Sequence, residues 1–283
     1  IFVENSKSLF NHRATLLNLA INNLTITNNS LPPERKFAYL STQGSHLDQL
    51  KIENCSFSQN RFSGKIFSFA SRLFKASMLM DIPKPIYMNA IKIYDHLSPV
   101  DLTFFSLIPY VSSQIASSCF QLVEPYNLFV NDFNVINNNF TRSTQSSWMF
   151  EVSLFDVQET QITLTNSTIS DNFFEYYNLF NLNQKPSTFV FLNNTVRANT
   201  FILSRLINTG YLIPNSFCIT MGDQISTKTP FLHRYGFILN STFESLTLMS
   251  STLVTLNNAF ISISNNQLKE VRLEKSLLFS KIS

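Results

Sequence analysis

Carboxylates are the side chains of this sequence whose spacing would first suggest catalysis. The chain holds eight Asp and ten Glu in 283 residues, and the closest approaches are Asp95 with Asp101, Asp156 with Glu159, and Asp171 with Glu175. Hydrolysis or elimination at a sugar needs two carboxylates for acid and base work, or a carboxylate cluster around calcium. None of the three pairs forms such a cluster. We therefore interpret them as solvated pairs and predict a protein that is not an enzyme and has no cofactor.

Histidine and cysteine give no clearer chemistry. His12, His46, His96 and His233 lack the spacing of metal ligands, and no serine lies in a recognisable nucleophile elbow. The three cysteines, Cys55, Cys119 and Cys218, are an odd number that leaves at least one thiol. A disulfide between neighbouring repeats stays open at this point, and no metal site is predicted.

A short phrase, apolar-x-Asn-x-x-apolar, recurs along the chain and suggests a repeated structural unit. Its anchor residues are Asn54, Asn137, Asn166, Asn193, Asn240 and Asn265, with a weaker copy at Asn28. Asn137 and Asn166 are 29 residues apart, Asn166 and Asn193 are 27 apart, and Asn240 and Asn265 are 25 apart. The 83 residues from Asn54 to Asn137 fit three units of about 28, so the sequence predicts about ten stacked units of 25–29 residues.

The local pattern indicates strands. Apolar residues alternate, as in Ile162 and Leu164 or Phe189 and Phe191, and alternation of period two is typical of a strand with one buried face. Helical spacing is absent, and Phe, which suits a half-buried pleated surface, occurs 28 times. Three short strands in each unit predict an all-β, parallel β-helix solenoid with loop excursions, in preference to a leucine-rich repeat or a helical array.

Stacked units should place like side chains on like. We expect an apolar ladder of Phe57, Phe140, Ile169, Val196, Phe243 and Leu268. The anchors Asn54, Asn137, Asn166, Asn193, Asn240 and Asn265 should form a second, polar ladder. Asn tolerates the left-handed backbone conformation that a tight corner demands, and its amide can bond to the amide one unit away.

Three phrases carry a resemblance to a known superfamily. They are Ile-Glu-Asn-Cys-Ser-Phe-Ser-Gln-Asn at 52–60, Leu-Thr-Asn-Ser-Thr-Ile-Ser-Asp-Asn at 164–172, and Leu-Asn-Asn-Thr-Val-Arg-Ala-Asn at 192–199. The chain resembles the right-handed parallel β-helix (pectate-lyase-like) superfamily, and looks closest to Asn-rich repeats of adhesin-type cell-surface proteins such as those of ciliates. The resemblance implies a fold and an extracellular or cell-surface location, but it implies no chemistry.

Seven Asn-x-Ser/Thr sequences are candidate N-glycan acceptors. They lie at Asn23, Asn28, Asn54, Asn139, Asn166, Asn193 and Asn240. Five of them are anchors, and an amide turned into a solenoid cannot carry a sugar. Asn23 and Asn139 escape this objection, so they are the better predicted glycan sites.

Charge and hydropathy argue against some classes of binding partner. The net charge of +3 is scattered, which argues against nucleic acid as a partner. No apolar run approaches the roughly 20 residues of a membrane span.

The repeat pattern weakens near 71–126 and 209–234, where we expect loops. The chain lacks a starting Met and stops within a unit at residues 276–283, so we expect one β-helix domain over 1–283 that is a segment of a longer polypeptide.

We therefore predict a non-catalytic structural or adhesive segment of an extracellular or cell-surface protein or filament that associates end to end or with other surface proteins. The alternative is a carbohydrate-binding or polysaccharide-cleaving β-helix that uses loops near 83–110 and 209–234. A third hypothesis, an accessory subunit of an intracellular complex, predicts no glycan at any acceptor.

Overall fold

The regular structure of the described residues consists of β-strands. The computed structural model describes residues 8–12, 16–29, 37–61, 64–72, 84–97, 102–110, 126–141, 152–157, 160–181, 189–208, 234–257 and 259–282. Within these ranges it has 26 strands and no helix, so the predicted all-β class is confirmed.

Longer strands predominate in the first half. They are β1 (Ser8–His12), β2 (Leu16–Asn22), β3 (Thr25–Thr27), β4 (Phe37–Ser58), β5 (Gly64–Arg72), β6 (Lys84–Tyr94), β7 (Leu102–Tyr110), β8 (Tyr126–Ile136), β9 (Asn139–Thr141) and β10 (Val152–Val157).

Shorter strands follow in a regular order of four. They are β11 (Thr160–Thr165), β12 (Thr168–Ser170), β13 (Phe173–Glu175), β14 (Tyr177–Asn181), β15 (Phe189–Leu192), β16 (Thr195–Arg197), β17 (Thr200–Ile202), β18 (Arg205–Asn208), β19 (Arg234–Leu239), β20 (Thr242–Glu244), β21 (Thr247–Met249), β22 (Thr252–Asn257), β23 (Ala259–Ser264), β24 (Gln267–Lys269), β25 (Arg272–Glu274) and β26 (Leu277–Ile282).

Strands pair in parallel with the equivalent strands of the preceding and following units. One set joins β11, β15, β19 and β23, and a second joins β12, β16, β20 and β24. The strands β9, β13, β17, β21 and β25 form a five-stranded sheet of their own. The set β14, β18, β22 and β26 completes the unit. Parallel pairing of this kind requires a connection between successive partners, which the other strands of the unit provide.

The length of the unit varies while the register is kept. Hydrogen bonds between equivalent residues of successive units span 27 residues from Ser167 to Asn194, 47 from Asn194 to Ser241 and 25 from Ser241 to Asn266. Earlier steps are longer than expected, since the bonded side chains of Asn89 and Asn131 are 42 residues apart. The predicted narrow range of unit lengths is therefore wrong for most units, because connections between strands differ in length.

Bends separate the strands at intervals of five residues. In each of the last four units the chain passes through three bends whose central residue has a positive φ, for example Asn166 (51°), Asp171 (59°) and Tyr176 (52°). In the last unit Asn265, Glu270 and Lys275 do the same. We call these the first, second and third bends. Each bend redirects the chain, and its left-handed conformation is the one that Asn tolerates best among residues with a side chain.

A row, meaning residues at equivalent positions of successive paired strands, crosses eight units without interruption. It runs through Ile26, Phe57, Ile93, Val135, Ile169, Val196, Phe243 and Leu268. Its members from Phe57 to Phe243 are buried. The expected place of Phe140 in this row is wrong, because Phe140 lies in the five-stranded sheet opposite Phe174.

Aromatic side chains fill the core beside this row. Phe140, Phe174 and Phe201 stack along the five-stranded sheet, with ring centroids 5.4 and 4.9 Å apart. Phe104 makes edge contacts with Phe57 and Phe67 at 5.3 and 5.5 Å. Stacked and edge-on aromatic pairs add to the free energy of burial, so Phe is an efficient filler for this core.

The five-residue interval explains an error in the predicted alignment of units. Asn28 and Asn137 occupy the second bend of their units, and Asp171 is the residue at that bend in the unit after Asn137. At the first bend, Asn54 is followed by Ala90 and Asp132 in the next two units. The phrase apolar-x-Asn-x-x-apolar has its two apolar residues five apart, so a shift by one bend reproduces it.

The two stretches in which the repeat weakens were predicted to be loops. The stretch 209–233 lies outside the described residues, whereas the strands β6 and β7 lie within the stretch 71–126.

Candidate functional site

The anchor asparagines lie on the outside of the molecule. Asn23, Asn54, Asn166, Asn193, Asn240 and Asn265 share the first bend, and all six are exposed. Asn137, at the second bend, is exposed as well. Our expectation that the anchor amides turn inward is wrong, because a residue at a left-handed bend directs its side chain away from the buried face of the two flanking strands.

Some of these outer amides bond to the adjacent unit. Asn54 Nδ2 donates to Asn22 Oδ1 at 3.1 Å, and Asn137 Nδ2 donates to Asp95 Oδ1 at 2.8 Å. Asn131 Oδ1 accepts from Asn166 Nδ2 at 2.8 Å. These bonds are exposed to water, so each contributes little to stability.

The interior polar ladder lies one residue after the second bend. It consists of Asn29, Asn60, His96, Asn138, Asn172 and Asn199, and all except Asn29 are at most 3 % exposed. We call it the amide ladder. Asn172 Oδ1 accepts from the backbone N and from Nδ2 of Asn138 at 3.0 and 2.9 Å, and Asn199 Oδ1 accepts from the same two atoms of Asn172 at 3.0 and 2.9 Å.

The ladder amides also donate to backbone carbonyls. Asn138 Nδ2 donates to the carbonyl of Ile93 at 3.0 Å, Asn172 Nδ2 to that of Val135 at 2.8 Å, and Asn199 Nδ2 to that of Ile169 at 2.7 Å. The bend leaves inward-facing backbone groups that no strand partner satisfies. An asparagine amide supplies both an acceptor and donors there, so buried polar groups are paired.

Serine and asparagine side chains also accept backbone hydrogen bonds after the first and third bends. After the first bend, Ser167 Oγ accepts from the amide of Phe133 at 3.1 Å, and Asn194 Oδ1 accepts from that of Ser167 at 2.9 Å. After the third bend, Ser204 Oγ accepts from the amide of Tyr177 at 3.0 Å, and Ser251 Oγ from that of Ser204 at 3.1 Å.

The amide ladder was missed from sequence although a signal was present. Asn60, Asn172 and Asn199 each lie six residues after an anchor, namely Asn54, Asn166 and Asn193. They close the three phrases that carry the β-helix resemblance. A residue six positions after a bend comes directly after the next bend, which would have identified the inward position.

His96 is the one member of the amide ladder that can change its charge. Its side chain is 1 % exposed, and its Nδ1 lies 3.0 Å from Asn138 Oδ1. Burial lowers the pKa of His96, and hydrogen bonds to Asn138 and to the Tyr94 carbonyl, with the charge of Asp95, oppose that shift in part.

Cys55 is a buried thiol. It lies directly after the first-bend residue Asn54, and its Sγ donates to the carbonyl of Glu53 at 3.1 Å. Burial raises the pKa of the Cys55 thiol, while hydrogen bonds to Leu24 and Glu53 act in the opposite direction. Cys119 and Cys218 lie outside the described residues.

Of the three carboxylate pairs that the sequence singled out, only Asp171 and Glu175 lie wholly within the described residues. Asp101 and Glu159 lie outside them, Asp171 is exposed at a bend, and Glu175 is half-buried at the end of β13. His12 lies in β1 and His46 in β4, whereas His233 is outside. In the described part of the chain there is no group of three or more His, Cys, Asp or Glu that could hold a metal ion.

The glycan acceptors differ in exposure, and the order differs from the expected one. Asn23, Asn28, Asn54, Asn166, Asn193 and Asn240 are exposed at bends. Asn139 is half-buried in β9, and its Oδ1 is buried without a hydrogen-bond partner among the described residues. The geometry therefore favours the bend residues over Asn139 as acceptors.

The described surface has little paired charge and no membrane-spanning helix. Lys51 and Glu53 form an ion pair at 3.0 Å on the outer side of β4. No helix long and apolar enough to cross a membrane occurs in the ranges that the structure covers.

Comparisons with known proteins identify no relative. No family model, no curated protein and no solved structure matches the chain.

Proposed function

We propose that the chain is a right-handed parallel β-helix that serves as a non-catalytic structural or adhesive segment of an extracellular or cell-surface protein. One observation carries the proposal. Leu164, Ile169, Phe174 and Phe180 come from four consecutive strands of one unit, and all four belong to a single buried core. Strands that surround one core and stack in parallel on the next unit are the arrangement of a solenoid.

A solution measurement tests the solenoid. Eight units at about 4.8 Å each predict a rod about 40 Å long, with strand content and no helix by circular dichroism. Small-angle X-ray scattering of the full chain should give the distance distribution of a short rod. A distribution typical of a flat sheet would contradict the β-helix and the role that depends on it.

The extracellular assignment is supported by six acceptor asparagines that are exposed at bends. The test is mass spectrometry of the protein from its own cells, with peptides that cover all seven acceptors. A glycan at a bend acceptor supports secretion. Unmodified asparagine at all seven acceptors, together with intracellular fractionation, would favour the accessory subunit of an intracellular complex.

End-to-end association is supported by the last described unit. Ile263, Leu268 and Leu273 are 41 %, 46 % and 46 % exposed, although their partners Ile238, Phe243 and Leu248 are buried. Another layer of strands, from a second copy or from the same polypeptide, would cover these side chains. Analytical ultracentrifugation of the chain and of its Leu273→Lys variant tests this: association that the substitution abolishes supports a second copy, and a monomer at all concentrations opposes it.

Carbohydrate binding is the second candidate, and one observation favours it. Tyr87 and Phe129 are 40 % and 39 % exposed and stack at 5.4 Å, and Asn131 Nδ2 bonds to Asn89 Oδ1 at 2.8 Å on the same strands. Aromatic rings beside amides can contact the apolar and hydroxyl groups of a sugar. Sedimentation with insoluble polysaccharides tests it: binding that Tyr87→Ala and Phe129→Ala both reduce supports this candidate, and equal binding by all three proteins opposes it.

A further inference from the structure

The amide ladder contains one imidazole between two amides. Asn60 precedes His96 in the ladder and Asn138 follows it, and all three side chains are buried. The other contacts of the ladder join asparagines, which stay neutral at every pH at which the protein folds. His96 is therefore the point at which the ladder can respond to acid.

The hydrogen bonds of Asn138 determine where the proton of His96 lies. Asn138 Nδ2 already donates to the Ile93 carbonyl and to Asn172 Oδ1. Its Oδ1 must then accept from the two His96 nitrogens that face it, the backbone N at 3.1 Å and Nδ1 at 3.0 Å. The ring thus carries its proton on Nδ1.

The opposite ring nitrogen faces a donor. Asn60 Nδ2 donates to the Ile26 carbonyl at 2.8 Å and lies 3.5 Å from His96 Nε2. Nε2 can accept from Asn60 only while it has no proton. A second proton would place two donors against each other and would add a positive charge in a buried site.

The charged groups of the surrounding elements do not compensate for that charge. Asp95 is next to His96 in sequence, but its carboxylate accepts from the exposed Asn137 amide. Arg61, which follows Asn60, and Asp171, which lies at the same bend two units after Asp95, are both exposed. The contacts that favour a charged ring are thus the Asn138 oxygen, the Tyr94 carbonyl and the nearby charge of Asp95, and burial outweighs them.

We propose that His96 is an acid-sensitive joint of the amide ladder, and that its protonation loosens the contacts of its own unit with the units of Asn60 and Asn138, which lie on either side of it. The direction follows from linkage. The unfolded chain gains a proton on this histidine as pH falls through about 6.5, whereas the folded chain resists it, so stability declines as pH falls below that value. Above that value the contribution of His96 to stability is complete.

Urea unfolding of the full chain at pH 7.5, 6.5, 5.5 and 5.0 tests the proposal. As the pH falls from 6.5 to the folded-state pKa of His96, the equilibrium constant for unfolding of the wild type should rise more steeply than that of His96→Asn. The ratio of the two constants should grow by up to about tenfold for each unit by which the pH falls. Asn at this position continues the ladder without a titrating group. His46→Asn, in β4, removes a histidine outside the amide ladder and controls for the loss of one histidine as such. Equal pH dependence in the wild type and His96→Asn would overturn the proposal.

A second measurement keeps the test decisive if His96→Asn does not fold. Nuclear magnetic resonance of the wild-type imidazole should show a ring that stays neutral, with its proton on Nδ1, well below pH 6.5. The protection factors against hydrogen exchange of the His96 and Asn139 amides, which bond to Asn138 Oδ1 and to the His96 carbonyl, should fall in acid more than that of the Thr242 amide. A ring that titrates at or above its ordinary pKa would refute the joint.

Discussion

Asn172 Oδ1 lies 2.9 Å from Asn138 Nδ2 and 3.0 Å from the Asn138 backbone nitrogen, so one side-chain oxygen serves two donors of the neighbouring unit. The same pair of bonds recurs between Asn199 and Asn172. The ladder therefore links units through side chains at the place where the bend interrupts the strand hydrogen bonds.

The substitution Asn172→Ala should be strongly destabilising. It removes the acceptor for two buried donors of Asn138, and each orphaned group costs about 1–3 kcal/mol. The free energy of unfolding from urea titration should fall by about 2–5 kcal/mol in total. Asn166→Gly is the matched control, because Asn166 is exposed and Gly accepts its φ of 51°; a comparable loss in the control would argue against a special role for the ladder.

Asn193 tests the conformational demand of the first bend. Its φ is 57°, which a β-branched residue adopts only with strain of about 1–3 kcal/mol. Asn193→Val should therefore lower the melting temperature, and Asn193→Gly should leave it nearly unchanged. Equal melting temperatures for the two variants would mean that the bend does not require a left-handed residue.

A double-mutant cycle tests the register of Phe140. Phe140→Leu and Phe174→Leu should be non-additive, with a coupling free energy of about 0.5–1.5 kcal/mol from the lost ring stacking. The control cycle pairs Phe140→Leu with Val196→Ala, a residue in a different row, and should be additive. Coupling in the control cycle alone would contradict the placement of Phe140 opposite Phe174.

Cys55 should react slowly while the chain is folded. In a variant with Cys119→Ser and Cys218→Ser, burial and a raised pKa keep the Cys55 thiol protonated and out of solvent. Alkylation by iodoacetamide at pH 8, followed by mass spectrometry, should be slow in buffer and fast in urea. Fast alkylation in buffer would show that β4 opens readily.

Periodicity was enough to predict strands and their buried faces, because alternation at Ile162 and Leu164 has a single structural meaning. The repeat phrase alone did not predict which bend of the unit its asparagine occupies. Asn54 and Asn137 both have apolar residues at −2 and +3 but occupy different bends, since the phrase and the bend share an interval of five residues.

The repeat phrase also did not predict which polar side chains face the core. Asn has two uses in this chain, as a left-handed bend residue at Asn166 and as a buried amide at Asn172. Both uses appear in sequence as Asn near an apolar residue. The spacing of six residues from anchor to ladder amide separates them in three units, and in the other units the strand register is needed to show which side chain follows the bend and faces the core.

The step from Phe189 to Gly236 is much longer than the steps on either side of it, yet β15 and β19 remain as well paired as the other strands of their set. Since the entropy of closing a connection rises by only about 0.6 kcal/mol for each doubling of its length, the stack does not limit how much chain is inserted between Asn208 and Arg234. That junction is a natural position for grafting a foreign epitope or a reporter domain, which the scaffold would display at a fixed height.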